Sequence, residues 1–216
     1  MERSYTTFPQ LVREALRRDP GRPFITAYDE ASGWRTELSV TTFANWVNKT
    51  ANLLVDEYLL GEGDTIRIDL APHWLAPVFL GAAWTAGVAV TTEPGVAAHL
   101  VVAGPTFDEH LLDTDLPVVA TSLDAFAGRF AQPLPEGIDD YGALWPGQPD
   151  VFVPSPPPGD MTVAWRHPED SESHEELVQR ARDEVQGRRG TRLLTAVHPL
   201  HDSGVPTLLA ALVSGG

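Results

Sequence analysis

The sequence predicts an α/β fold, in which a mainly parallel sheet is flanked by helices. Short apolar or alternating segments recur between segments with helical periodicity, and this alternation is typical of parallel sheets. Of the 216 residues, 43% are hydrophobic and 21% charged, which provides enough apolar sequence for a sizeable core. We therefore predict one α/β domain over residues 1–216.

The first part of the chain shows clear starts and stops for its elements. Phe8, Leu11 and Val12 share one helical face, and Ser39 or Thr41 can cap the second helix. The predicted elements are a helix at 7–18, hairpin strands at 23–28 and 34–38, a helix ending near 58, a strand at 65–70, a helix at 73–85 and a strand at 88–91.

The second part has shorter elements and a proline-rich stretch. We predict strands at 99–103, 117–120, 161–165 and 192–197, and helices at 107–112, 171–186 and 205–213. Residues 132–159 hold many of the 19 prolines, and we interpret them as a surface linker with one helical turn near 139–144. Such a run is also a possible ligand for partner domains. On the helix at 171–186, Glu176 and Arg180 have the spacing of an ion pair.

Composition excludes several classes of function. The formal net charge of −15 disfavours nucleic acid and anionic membranes as partners. The sequence has no cysteine, and no apolar run approaches the ~20 residues of a membrane span. The first residues lack the apolar core of a signal peptide, so we expect a cytoplasmic protein. Lys49, the one lysine, is expected to be a solvated surface charge.

Three segments contain glycines and apolar residues at a characteristic spacing. Residues 38–54 include LSVTTF and VNKTANLL, residues 61–68 read GEGDTIRI, and residues 79–90 read FLGAAWTAGVAV. In this order they resemble scaffold motifs of adenylate-forming enzymes, the family of acyl-CoA synthetases, luciferases and peptide-synthetase adenylation domains. The resemblance covers essentially the whole chain and implies the fold of the amino-terminal region of these enzymes. The motif glycines permit tight turns and close packing.

The resemblance implies a phosphate-gripping loop with the pattern T-S-G-T-T-G-x-P-K-G, followed by S-H. Here the strand at 162–165 and the pair Ser173-His174 enclose the shorter sequence RHPEDSE, which has no glycine or lysine and three acidic residues. A phosphate cradle needs close backbone N–H groups and a positive charge. We therefore interpret residues 166–172 as a tight capped turn that does not bind ATP. Replacement of the lysine by Arg166 or His167 stays open.

A second departure from the family pattern lies at residues 199–204, which read PLHDSG. Asp202 stands where the resemblance implies a histidine beside the acyl pocket. His198 and His201 have the spacing of a metal pair but lack a third ligand. Asp202 and Ser203 do not suggest a hydrolase, because no Gly-x-Ser-x-Gly elbow precedes them. We expect no metal, no cofactor and no catalytic residue.

The resemblance also indicates where a small acyl or aromatic ligand would sit. The candidate pocket residues are Trp165, His167, His174, His198, His201 and Asp202. We expect them to converge near the start of the family's substrate pocket.

The sequence favours a non-catalytic homologue that acts as a binding or interaction module. One alternative is residual binding of an acyl or aromatic small molecule. Another is an active ligase-like enzyme, completed by a separate chain or using new chemistry, since the later motifs of the family are not found in residues 1–216. Without the subdomain that covers this region in the full enzymes, apolar surface should be exposed, so we expect a homodimer or a protein partner.

Overall fold

A seven-stranded sheet organises the chain in the computed structural model, which describes residues 5–29, 33–112, 114–186, 190 and 192–215. The strands are β1 (Pro23–Tyr28), β2 (Arg35–Ser39), β3 (Thr65–Asp69), β4 (Ala89–Thr91), β5 (Leu100–Ala103), β6 (Val118–Ala120), β7 (Ile138–Asp140), β8 (Val163–Arg166) and β9 (Ser171–Ser173). The helices are α1 (Phe8–Arg18), α2 (Val40–Asp56), α3 (Leu75–Ala86), α4 (Glu109–Leu112), α5 (Tyr141–Leu144), α6 (His174–Val185) and α7 (Gly204–Ser214).

The order of strands in the sheet is β7-β6-β5-β3-β4-β8-β9. All neighbouring strands are parallel except β8 and β9, which are antiparallel. Strands β1 and β2 form a separate antiparallel hairpin. The predicted α/β fold with a mainly parallel sheet is therefore confirmed, and nearly all predicted elements are present within a few residues of their expected ends.

Helix α3 lies at the centre of the main core. Each of its 12 residues is buried, which explains why the segment is apolar on all sides instead of amphipathic. A Cβ atom on Gly81 would lie 2.7 Å from Phe8 and 2.9 Å from Val47, so this glycine allows α1 and α2 to approach α3. Gly87 ends the helix in a left-handed conformation, with φ of 79°. No helix in the described ranges is long and apolar enough to cross a membrane.

The stretch 132–159 is more than the surface linker that its prolines indicate. Strand β7 pairs with β6 at one edge of the sheet, and α5 follows it directly. Tyr141 is fully buried, and its hydroxyl lies 2.7 Å from the hydroxyl of Thr50 on α2. The edge strand has only three residues, Ile138–Asp140, two of them acidic, so its apolar pattern was too short to predict it.

The expectation that Lys49 is a solvated charge was wrong. Its Nζ donates to the carbonyl of Gln148 at 2.5 Å and lies 3.2 Å from a carboxylate oxygen of Asp150. Asn52 on the same helix donates to the carbonyls of Pro149 and Val151, at 3.0 and 3.1 Å. Polar side chains of α2 thus hold the proline-rich segment, whose prolines lack the N–H groups for strand pairing.

The predicted strand at 192–197 is also wrong. These residues form no regular secondary structure, and all six are exposed. Leu194 is 95% exposed, and the described residues 192–197 pair with no strand of the sheet. The apolar sequence favours a strand, but strand formation also requires a neighbour to accept its backbone hydrogen bonds.

The buried Thr50–Tyr141 pair provides a test of how residues 138–144 are held. Tyr141→Phe leaves the Thr50 hydroxyl without its partner, so we expect the free energy of unfolding in urea to fall by about 1–3 kcal/mol. The double variant Thr50→Val/Tyr141→Phe removes both polar groups and should recover most of this loss. Equal, additive losses from the two substitutions would show that the hydroxyls do not interact.

Candidate functional site

Strands β8 and β9 form a hairpin at the segment where the resemblance implies a phosphate loop. Trp165 and Arg166 lie opposite Glu172 and Ser171, and the N–H of His167 donates to the carbonyl of Asp170 at 2.9 Å. Four residues, 167–170, therefore make the whole connection. Proline at the second position fixes φ near the value that such a turn requires. The interpretation of this segment as a tight turn agrees with this geometry.

Acidic side chains occupy the start of α6, immediately after the hairpin. Ser173 Oγ accepts from the N–H of Glu176, while Glu176 Oε2 accepts from the N–H of Ser173 at 2.8 Å, forming a capping box. The hydrogen bonds from the backbone and hydroxyl of Ser173 lower the pKa of Glu176. The positive end of this helix is thus already matched with a carboxylate of its own chain.

Glu172 and Arg180 connect the hairpin to the segment that carries Asp202. Arg180 Nη1 lies 2.6 and 2.5 Å from the two carboxylate oxygens of Glu172, and its Nη2 donates to the carbonyl of Asp202 at 2.6 Å. His167 Nε2 is 3.7 Å from Glu172. Arg180 therefore pairs with Glu172 and not, as its spacing suggested, with Glu176. A bulge-containing hairpin sets this pairing, which helical spacing alone does not reveal.

Arg166 extends away from the turn. Its Nε donates to Thr65 Oγ1 at 2.9 Å, and Thr65 is the first residue of β3. The parallel strands β3, β4 and β8 all begin at the same end of the sheet, whereas the turn at 167–170 follows the opposite end of β8. The guanidinium thus lies towards the amino ends of the strands.

Two of the candidate pocket residues are buried in the core. Trp165 is 3% exposed and His174 is 2% exposed. Among the described residues, none hydrogen-bonds to His174 Nε2, and burial lowers the pKa of this ring to about 4. The ring of Trp165 lies 6.3 Å from that of His167, so these two candidates are neighbours.

The three remaining candidates belong to a turn that follows residues 192–197. His198 Nδ1 accepts from the N–H of Leu200 at 3.1 Å, so Nε2 carries the proton that is donated to the carbonyl of Leu70 at 2.9 Å. His201 Nδ1 contacts Ser203 within the same turn, at 2.9 Å. In the described part of the chain, no three histidine or acidic side chains are placed to hold a metal ion.

Sequence reasoning missed one buried histidine, His73. It is 8% exposed and lies between the rings of Trp34 and Trp74, each with a centroid 5.4 Å from its own. Burial lowers its pKa to about 4, while Asp124 acts in the opposite direction. Its position beside a tryptophan at the start of a wholly apolar helix was the available signal.

Two grooves of the surface are lined by none of the six candidate residues. One groove of about 210 Å³ is lined by Trp46, Lys49, Trp145 and neighbouring polar residues. Another, of about 180 Å³, lies beside Arg166 at the beginnings of β3, β4 and β8. Convergence of the six residues on one ligand stays a prediction.

Comparison of the backbone with solved structures identifies the fold. An acyl-CoA synthetase from Brucella canis superposes with a TM-score of 0.75 over 95% of this chain and 41% of its own, at 15% identity. A fatty acyl-adenylate ligase from L. pneumophila, solved with acyl adenylate and pyrophosphate, gives 0.65 over 98% and 39%, at 13% identity. The fold is that of the amino-terminal region of acyl-CoA synthetases.

Sequence comparison finds a relative with higher sequence identity than these structures. A TIGR03089 family protein from Mycobacterium tuberculosis is 38% identical over 156 residues, which are 68% of this chain and 62% of the relative. No family model matches the chain. The chain spans about three-fifths of this relative and less than half of the two acyl-CoA synthetase-fold structures above.

The low pKa of His174 predicts that acid destabilises the fold. Between pH 6.5 and 4 the unfolded chain binds a proton at this histidine and the folded chain does not, so stability is lost as the pH falls. We expect this residue to account for a loss of about 2 kcal/mol in unfolding free energy between pH 8 and pH 5. His174→Leu should remove that part of the pH dependence of the unfolding free energy, measured by urea titrations at several pH values.

His73 should still contribute to the pH dependence of the unfolding free energy in the His174→Leu variant, because burial lowers the pKa of His73 as well. His201→Leu is the matched control, since it removes an exposed imidazole. An unchanged pH dependence in His174→Leu would contradict the assignment.

Proposed function

We propose that this chain is a non-catalytic homologue of adenylate-forming enzymes that acts as a binding or interaction module. The observation that carries the proposal is the turn at 167–170, which replaces a phosphate-gripping loop by four residues closed on themselves. A phosphate cradle requires several backbone N–H groups that point at the ligand. Here the N–H of His167 is already bonded to Asp170.

The charges around this turn also disfavour a triphosphate. Glu169, Asp170 and Glu172 lie within four residues of one another, and Glu176 caps the next helix. A negative charge ~4 Å from each carboxylate would be opposed by about 4 kcal/mol at an effective dielectric near 20, before screening by salt.

The basic side chains that could take the place of the missing lysine make contacts away from the turn or with its acidic neighbours. Arg180 neutralises Glu172 and bonds to the carbonyl of Asp202. Arg166 is anchored to Thr65, and Lys49 is held by residues 148–150 on another part of the surface. These contacts support a scaffold that has kept its fold without the charge arrangement that ATP needs.

Calorimetry with ATP and magnesium tests this proposal. We expect no binding heat at up to millimolar nucleotide, because the turn is short, the N–H of His167 is already bonded and its carboxylates repel phosphate. The variant Glu169→Gln/Asp170→Asn should also fail to bind, since neutralising two acids does not create a cradle. Glu172 is kept in this variant, because its loss would leave Arg180 without its carboxylate. Micromolar binding by the native chain would overturn the proposal.

We also propose that the exposed segment at 192–197 is part of an interaction surface. Leu193, Leu194 and Val197 are 40%, 95% and 42% exposed, and the described backbone there pairs with no strand. Exposed apolar side chains grouped on one segment favour contact with another chain. A homodimer is the simplest form of this contact.

Light scattering after size exclusion tests self-association. The native chain should have twice the mass of one chain at high concentration, and Leu194→Glu should shift it towards the monomer. Leu59→Glu is the control, because Leu59 is 82% exposed in a different loop. A monomeric mass for the native chain at all concentrations would exclude the homodimer, leaving a different protein as the partner.

A further inference from the structure

One face of the sheet carries charged side chains along β3. Along β3, Ile66 and Ile68 are buried in the main core, whereas Arg67 is half-buried and Asp69 exposed. Side chains alternate between the two faces of a strand, so Thr65, Arg67 and Asp69 share the second face. Parallel pairing of β3 with β4 and of β4 with β8 brings Arg166 onto this same face.

A groove of about 180 Å³ lies at the amino-terminal edge of this face. Gly63 precedes β3, Ala89 begins β4 and Val163 begins β8, and all three line the groove. Nothing lies within 4 Å of the position that a Cβ atom on Gly63 would take, so small residues leave the space open. The exposed side chain of Met161 adds an apolar wall.

Arg166 supplies the positive charge of this groove. It is half-buried, and its Nε is fixed by Thr65 Oγ1 at 2.9 Å. A guanidinium has five N–H donors, and within the described part of the chain the four on its terminal nitrogens have no partner. No described carboxylate lies within 4 Å of Arg166, whereas Arg17, Arg35 and Arg180 are all paired.

The carboxylate of Glu62 limits how much negative charge a ligand in the groove can carry. It lines the same groove, and its Oε1 accepts from the hydroxyl of Thr162 at 3.1 Å. Arg67, on the same face, adds a second positive charge near the groove but does not line it. Asp69 on the same face offsets Arg67, so Arg166 is, among the described residues, the one cation that faces the groove. A single guanidinium matches a monoanion better than a dianion, because Glu62 repels each further negative charge of the ligand.

We propose that this groove binds a small monocarboxylate, with the terminal nitrogens of Arg166 donating to its two oxygens. An arginine held at Nε presents a planar pair of donors that fits the geometry of a carboxylate. The apolar walls accommodate a short hydrocarbon tail. The volume is below the usual range for drug-sized ligands, so the ligand has only a few carbon atoms.

This inference is independent of the proposed function. The groove lies at the beginnings of β3, β4 and β8, while the turn at 167–170 lies beyond the other end of β8. Binding of carboxylate in the groove and absence of ATP binding at the turn are therefore separate outcomes.

The test is a titration of the isotope-labelled protein with sodium butyrate, followed by ¹H–¹⁵N correlation spectra. We expect saturable shifts at the amides of Gly63, Ala89 and Val163. Butyramide has the same shape without the charge and should bind at least tenfold more weakly, because one charged hydrogen-bonded pair is lost. Inorganic phosphate at pH 8, mostly a dianion, should also bind more weakly than butyrate.

Substitutions distinguish direct contact between Arg166 and the ligand from the electrostatic field of the other charges on this face. Arg166→Gln should weaken butyrate at least tenfold, and Arg67→Gln, the matched control on the same face, should change the affinity by less than about threefold. Thr65→Val keeps the charge of Arg166 but removes its anchor, and should weaken binding by an intermediate factor. It also provides a test if Arg166→Gln fails to fold.

Two results would overturn the inference. One is equal affinity for butyrate and butyramide, which would mean that the charge of the ligand is not recognised. The other is a folded Arg166→Gln variant, with native dispersion in its spectrum, that binds butyrate as tightly as the native chain.

Discussion

Burial of α3 on all sides is the constraint on which the other elements depend. An apolar helix with no solvent face must be enclosed, and here β3, β4 and β8 lie on one side while α1 and α2 lie on the other. Trp84 Nε1 donates to the carbonyl of Ala164 at 2.8 Å and fixes β8 against the helix. The position of the β8–β9 hairpin therefore follows from core packing, whatever the sequence of its turn.

Separation of the core from the turn explains how the fold accommodates the short acidic turn at 167–170. The interactions that hold the hairpin are strand pairing, the capping box at Ser173 and the Glu172–Arg180 ion pair, and none of them needs a ligand. The same acidic groups that stabilise the start of α6 oppose an anion there. Stability at the start of α6 thus favours negative charge, whereas nucleotide binding requires positive charge. The sequence provides the negative charge.

Features that depend on a local sequence pattern were predicted well, whereas features that depend on contacts with distant parts of the chain were not. Ser39 caps α2 and Gly81 permits close helix packing, as the motifs indicated, because each acts on its immediate surroundings. Long-range contacts decided the failures. Lys49 is held by a segment 99 residues away, and the apolar residues 192–197 have no strand beside them. At the site, the acidic tight turn was predictable, but the pairing of Arg180 and the burial of His174 depend on tertiary packing.

The central claim is that the turn at 167–170 does not contact nucleotide phosphates. Amide spectra recorded with adenosine and with ATP, at the same magnesium concentration, test it directly, because the two ligands differ only in the phosphates. The account predicts that the amides from 167 to 176 keep their positions with both ligands. Saturable shifts at these amides with ATP but not with adenosine would contradict it.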